Sequence, residues 1–296
     1  MATHLHSFDQ SNFAADKPIN RRRAKPRVVR PADLKDSTHT LHAKFPWAGA
    51  AFKQFSRIME DMRRPFPCLF ARAAHEAEKL YFLLVGSPCE RAQLRRVRAG
   101  LLEYLTLTDK LEGLEASMNA LIILFAPVEP MLPLAEYHRQ AWRVMQDWID
   151  HDPQRWPVNV PENPDHPLWS LCFRGVPLFV NVSCPAHVRR RSRNVGPCLT
   201  LITQPRAGFD RVAGANAKGD AIRQRIRQLM YEYDGLPAPD DLGTYTRAEN
   251  REWWQYALLE ENVPRTDDCP LRPKARRKKC NETIPLPTAT RPSAAA

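Results

Sequence analysis

The sequence predicts an α/β fold in the mixed, or α+β, sense: a single domain with a mixed or mostly antiparallel central sheet flanked by helices. Three observations carry this. Two short apolar runs, Leu80–Gly86 and Leu121–Pro127, have the length and composition of buried strands. Leu168–Phe173 and Pro177–Val182 are separated only by Arg174, Gly175 and Val176, a connection tight enough for a hairpin. Helical patterns fall between these pieces without the strict strand–helix alternation of a doubly wound parallel sheet, and no glycine fingerprint for phosphates accompanies them.

In chain order, the first helix is expected over Ala48–Met62, where Phe52, Phe55, Ile58, Met59 and Met62 recur at three- and four-residue steps. Pro65 and Pro67 end it. Cys68–Glu78 is left without an assigned state. After the Leu80–Gly86 strand, Glu90–Leu107 repeats leucines at helical spacing. Beyond the Leu121–Pro127 strand, Leu134–Asp150 places Tyr137, Ala141, Trp142, Met145 and Trp148 on one face able to cover a sheet. The hairpin follows, then a strand at Leu199–Gln204. A long helix is expected over Ala217–Tyr233, with Ile222, Ile226, Leu229 and Met230 together. Asp240–Leu242 reads as a polar turn before a last helix around Arg247–Leu259.

Of the 296 residues, 43% are hydrophobic, enough to form a substantial core. The domain is expected over residues 45–262, with basic tails at 1–44 and 263–296 that lack the apolar area to offset ordering entropy. The formal net charge of +11 says little about the core. Much of it comes from Arg21–Arg23, Lys25 and Arg27 near one end and from Lys274 and Arg276–Lys279 near the other. Such tails suit nucleic acid, an anionic membrane or a nuclear import receptor. Nucleic acid is not the expected main partner, because no zinc-finger spacing, aromatic RNA-binding strand or recognition helix accompanies the charge. No run of apolar residues is long enough for a transmembrane span, and no secretory leader is evident, so a cytoplasmic location is expected. The 7 cysteines are scattered, without a close Cys-x-x-Cys pair, which argues against a disulfide framework or a four-cysteine zinc site.

The chemistry concentrates in Asn181–Phe209. His187 is followed by Arg189, Arg190, Arg191, Ser192 and Arg193. A neutral imidazole can ligate iron or another transition metal, and guanidinium groups offer bidentate donors to carboxylates. His187 is equally readable as a turn residue making ordinary hydrogen bonds, or as an acid–base group. The arginines cannot all face inward, and an exposed cluster is the alternative for them. Ser192 could cap a turn or donate to an anion. Gln204–Pro205–Arg206 puts an amide and a guanidinium at a strand end, with Phe209 as an apolar wall. Upstream, Cys68 could be an axial thiolate or an inert buried cysteine, and His75 a second histidine beside a cofactor. His166 and Trp169 could edge the pocket, Trp169 being readable also as core.

The ordered combination FPCLFARAA at Phe66–Ala74, PLWSLCFRGVPLFVNVSCPAHVRRRSRN at Pro167–Asn194 and QPRAGF at Gln204–Phe209 resembles the YqcI/YcgG family over about residues 48–260. Some members of that family are haem-dependent N-oxygenases acting on an amine or guanidine nitrogen of small amino-acid-like substrates. The resemblance implies haem b, held through iron by His187, with Arg190, Arg193, His75 and Cys68 also at the cofactor. It implies Arg206 and Ser192 at the substrate. With no flavin or nicotinamide fingerprint in the chain, an external electron donor such as a reductase is expected if dioxygen is used. An exposed sheet edge or the aromatic-rich Leu134–Asp150 helix could support a homodimer. The competing class is a non-enzymatic basic interaction protein, distinguished by its failure to take up haem. A cofactor-free transferase using Cys68 or His187 is less favoured, since no Gly-x-Ser-x-Gly or Walker motif is present.

Overall fold

The computed structural model describes residues 27–273. In chain order it contains β1 (Val28–Val29), α1 (Pro31–Lys35), α2 (Leu41–Lys44), α3 (Ala48–Glu60), α4 (Leu69–Glu76), β2 (Tyr81–Val85), α5 (Arg91–Thr108) and α6 (Gly113–Met118). There follow β3 (Leu121–Phe125), α7 (Leu134–Asp150), β4 (Cys172–Phe173), β5 (Val176–Ser183), β6 (Thr200–Pro205), α8 (Arg206–Ala213) and α9 (Ala217–Asp234). Six strands form one sheet in the order β1-β2-β3-β6-β5-β4, with β2 and β3 parallel and every other pair antiparallel. The expected mixed sheet with flanking helices is what the chain forms.

Two apolar layers explain why β2 and β3 read as unbroken hydrophobic runs, because successive side chains point to opposite faces and both faces are covered. Leu83, Val85, Leu121, Ile123 and Phe125 join one core, closed by Val97, Leu101 and Tyr104 of α5 and Val144, Met145 and Trp148 of α7. Phe82, Leu84, Ile122 and Leu124 join the other, closed by Phe52, Phe55 and Met59 of α3 and Ala74 of α4. The same alternation on β5 sends Leu178, Val180 and Val182 into the α5–α7 core. Its opposite face carries Phe179, Asn181 and Ser183, and there the second layer opens into a cavity instead of a packed core.

The hairpin turns at Arg174 and Gly175, whose φ values of 54° and 70° are both left-handed, as a two-residue turn between twisted strands requires. Asp152 Oδ1 accepts the Arg174 N–H at 3.0 Å and holds this non-glycine residue there. Asn216 caps α9, accepting from the Gly219 N–H at 3.0 Å. Asn216→Ala is expected to cost about 1 kcal/mol in a urea unfolding titration, the usual loss for such a cap.

Several expectations shift. Residues 27–44, assigned to a tail, carry β1, α1 and α2; Val28 pairs with Leu83, and the Glu103 carboxylate accepts the Arg27 N–H at 3.1 Å. A two-residue strand and two one-turn helices are too short to show periodicity. At the other end Cys269 and Leu271 are buried in the α7-side core, and Gln146 Oε1 accepts the Arg272 N–H at 2.8 Å, so packed chain extends beyond residue 262. The basic clusters at 21–25 and 274–279 lie outside the described residues. The strand expected at Leu168–Phe173 contracts to Cys172–Phe173. In place of a helix over Arg247–Leu259 there is a single 3₁₀ turn, Glu252–Gln255. Its neighbours Tyr256, Ala257 and Leu258 are all buried, a consecutive run that no one face of a helix could supply, and the Tyr256 carbonyl accepts the Val182 N–H at 2.8 Å.

Candidate functional site

The cavity has a volume of about 450 Å³. Its floor is the polar-bearing face of β5 and β6, formed by Phe179, Asn181, Ser183, Ile202 and Gln204. Its walls are the Phe66–Cys68 segment and α4 on one side, α6 beside them, and α8 with α9 opposite. Phe209 of α8 stacks on Phe179 with ring centroids 4.5 Å apart and meets Phe70 of α4 edge-on, making a continuous aromatic wall.

Into this apolar space the fold brings four of the expected residues: Cys68, Ser192, Arg193 and Arg206. Cys68 occupies the N-cap position of α4 in an extended conformation. Burial pushes its thiol up, while the Ala71 and Phe70 N–H groups and the Arg193 charge favour the thiolate. Arg193 is buried, and one of its nitrogens, Nη2, donates to the Gln255 carbonyl at 3.2 Å. Its other terminal nitrogen, Nη1, is buried without a partner, and burial pulls the guanidinium pKa down to about 9. Arg193 thus brings to the cavity a buried cation with one N–H group unused, its charge offset in part by Asp234.

Arg206 opens α8 and is held differently. It forms a buried ion pair with Glu252 and lies over the Tyr245 ring at 3.8 Å. Gln255 Nε2 donates to the other Glu252 oxygen at 2.7 Å. The Glu252–Gln255 turn therefore holds two of the cavity arginines, Arg206 through a side chain and Arg193 through a carbonyl. Ser192 is occupied structurally: its N–H and Oγ donate to the two oxygens of Asp234, at 2.7 and 2.6 Å, tying the end of α9 to the cavity rim. Gln204 Oε1 is buried without a donor.

The other expected site residues lie elsewhere. His187 does not line the cavity. Its Nδ1 meets Glu260 Oε1 at 2.5 Å, and the same carboxylate accepts the Val188 and Arg189 N–H groups at 3.2 and 2.8 Å. The ring lies on the α7 side, 5.7 Å from that of His138. Arg190 is fully buried outside the cavity; its Nε and Nη2 donate to the Leu259 carbonyl and Asn262 Oδ1, both at 2.6 Å, fastening the chain after the 3₁₀ turn, and its Nη1 has no partner. His75 sits against Phe52 and Phe55 with Nε2 2.9 Å from Glu60. Trp169 is core, stacked on Trp156, and His166 closes a turn through the Leu168 N–H at 3.0 Å. Among the described residues no cluster of three or more His, Cys, Asp or Glu side chains could hold a metal ion.

The histidine pair sets a pH dependence. Burial pulls His187 down to about 4 and His138 down to about 3. Unfolded histidines titrate near 6.5, so below that pH the unfolded chain binds protons that the fold refuses. Their contribution is intact above about pH 6.5 and is lost as pH falls towards about 4. Glu252, pushed up by burial, has the opposite sign: its contribution is present below about pH 4.5 and is lost as pH rises. The histidine pair is expected to lower stability as pH falls from 6 to 5, and His138→Gln to weaken that fall, read from urea unfolding midpoints.

Glu252, Gln255, Tyr245 and Asp210 were not legible as site residues. Asp210 stands four residues after Arg206, a signal that appears only once α8 is known to be a helix. Glu252 was hidden by the helix expected in place of its turn.

A protein-family model described as the YqcI/YcgG family matches residues 55–272. The chain belongs to the YqcI/YcgG family. Among curated relatives it is 38% identical over 227 residues to the Streptomyces lavendulae protein named "Putative N(omega)-hydroxy-L-arginine synthase DcsA", covering 76% of this chain and 84% of that one. It is 31% identical over 242 residues to the uncharacterized protein YqcI of Bacillus subtilis (strain 168), covering 81% of this chain and 92% of that one. No solved structure matches it significantly. The family match covers every residue that lines the cavity, from Phe55 to Gln255. No described helix of this YqcI/YcgG chain is long and apolar enough to cross a membrane.

Proposed function

We propose that this YqcI/YcgG protein is an enzyme that hydroxylates a guanidine or amine nitrogen of a small amino-acid-like substrate, with haem b in the cavity. The observation that carries the reading is the unpaired, buried Arg193 Nη1 beside Cys68 in an otherwise apolar cavity. These residues fit the cofactor. Cys68, at a helix N-terminus with two N–H groups near its sulfur, would be the residue to hold the iron. Arg193 offers a cation with one N–H group unused for a propionate, and the Phe179–Phe209–Phe70 wall suits a flat macrocycle. The 38% identity to a relative named as an N(omega)-hydroxy-L-arginine synthase supports the reaction class. His187 does not line this cavity, so Cys68 replaces it here as the proposed iron-side residue.

When bound, haem supplies the redox chemistry for oxygen transfer to nitrogen, drawing on an external electron donor if dioxygen is the oxidant. The chain's own residues do the rest. Arg193 neutralises a carboxylate, and Arg206, fixed by Glu252, keeps a second cation at the far wall. The aromatic wall excludes water, which strengthens both charge interactions. To act as ligand, Cys68 would have to give up its thiol proton, a loss that burial opposes and that the Ala71 and Phe70 N–H groups and the Arg193 charge only partly favour.

Haem-loaded protein supplied with a reductase system and small guanidines and amines tests the reading by mass spectrometry. One added oxygen atom on nitrogen, dependent on haem loading, is expected. Haem-loaded, folded protein that hydroxylates none of them contradicts it.

A further inference from the structure

The cavity is lined by four arginines and a single carboxylate. Arg223 is engaged by the Gly214 carbonyl at 3.0 Å and by Asp220, Arg227 by the Leu242 carbonyl, and Arg206 by Glu252. Asp210 is different. Its carboxylate lines the cavity and accepts no hydrogen bond from any described residue. Its ionic neighbours are Arg206, whose Nε is 3.4 Å away and makes no hydrogen bond, and the charge of Arg223. A second buried acceptor without a donor, Gln204 Oε1, lines the same space. Two acceptors without hydrogen-bond donors in one cavity describe the complement of a group with several N–H donors. The Phe179–Phe209 stack adds a flat π surface to the same cavity, which favours a planar cation over a compact ammonium.

Resting on the function proposed above, we infer that Asp210 selects the substrate by accepting hydrogen bonds from its guanidinium or amidinium end. Gln204 Oε1 is the second acceptor. Glu252 cannot take this part, because both of its oxygens are already used by Arg206 and Gln255. Asp210 is a specificity residue: an uncharged analogue of the same length meets the same walls but lacks the charge that Asp210 reads.

Calorimetric titration with L-arginine and with L-citrulline, its neutral urea counterpart, tests this on wild type, Asp210→Asn and Asp210→Glu. Wild type is expected to bind arginine at least about 10-fold more tightly than citrulline. Asp210→Asn should lose about 10- to 100-fold in arginine affinity, as expected for hydrogen bonds to a charged group, with citrulline nearly unchanged. Asp210→Glu should restore part of the preference. An Asp210→Asn protein that still prefers arginine overturns the inference, as does a wild type that takes up haem but shows no preference. Haem uptake is read by absorbance on the same preparations. Wild type that refuses haem sinks the proposed function, while the arginine preference and its loss in Asp210→Asn still decide the role of Asp210.

Discussion

Glu252→Leu is expected to destabilise the protein by about 3–5 kcal/mol, the cost of leaving a buried charge without its partner. Glu252 is fully buried, Arg206 is 4% exposed, and the rest of the guanidinium's surroundings are a Tyr245 face and the poorly aligned Asp210. The apolar double replacement, Arg206→Met with Glu252→Leu, is expected to recover most of that loss, since a buried ion pair and a packed apolar pair are often nearly equal in stability. Urea unfolding of the two single variants and the double variant gives the coupling directly. Near-additive losses would show that the pair is not a unit. Because Gln255 hangs on Glu252 and its carbonyl receives Arg193, the single Glu252 variant should also weaken capture of anionic ligands.

Arg193→Leu should behave in the opposite way. Removing a buried cation hydrogen-bonded only to a carbonyl relieves desolvation, so the ligand-free protein is expected to be at least as stable as wild type. Haem affinity should fall by about 10- to 100-fold, the worth of a charge-assisted hydrogen bond in a dry site. Haemin titration beside urea unfolding separates the two effects. Loss of stability together with unchanged haem affinity would make Arg193 a structural residue.

Legibility in the sequence followed the length of each pattern. The strands β2 and β3 and the helix α7 were plain because several residues repeat one period over a whole element, and α7 spans Leu134–Asp150 as expected. Val28–Val29 and the 3₁₀ turn at Glu252–Gln255 were not, since neither is long enough to repeat anything. For the site, the linear motifs pointed to the right segments without saying which way each side chain faces. His187 and Arg193 are six residues apart in one basic run. The turn at Arg191–Arg193 sends Arg193 into the cavity, and Glu260 holds His187 on the α7 side. Only the β5 alternation, apolar towards α7 and polar-bearing towards α9, shows where space was left for a ligand.

The most direct test of the central claim is the visible spectrum of freshly purified protein, produced with ample haem precursor, as wild type, Cys68→Ala and His187→Ala. A near-stoichiometric Soret band in wild type, kept in His187→Ala and lost or shifted in Cys68→Ala, is the predicted result. A folded wild type that stays colourless and refuses added haemin contradicts it, as does a band that Cys68→Ala leaves untouched and His187→Ala abolishes.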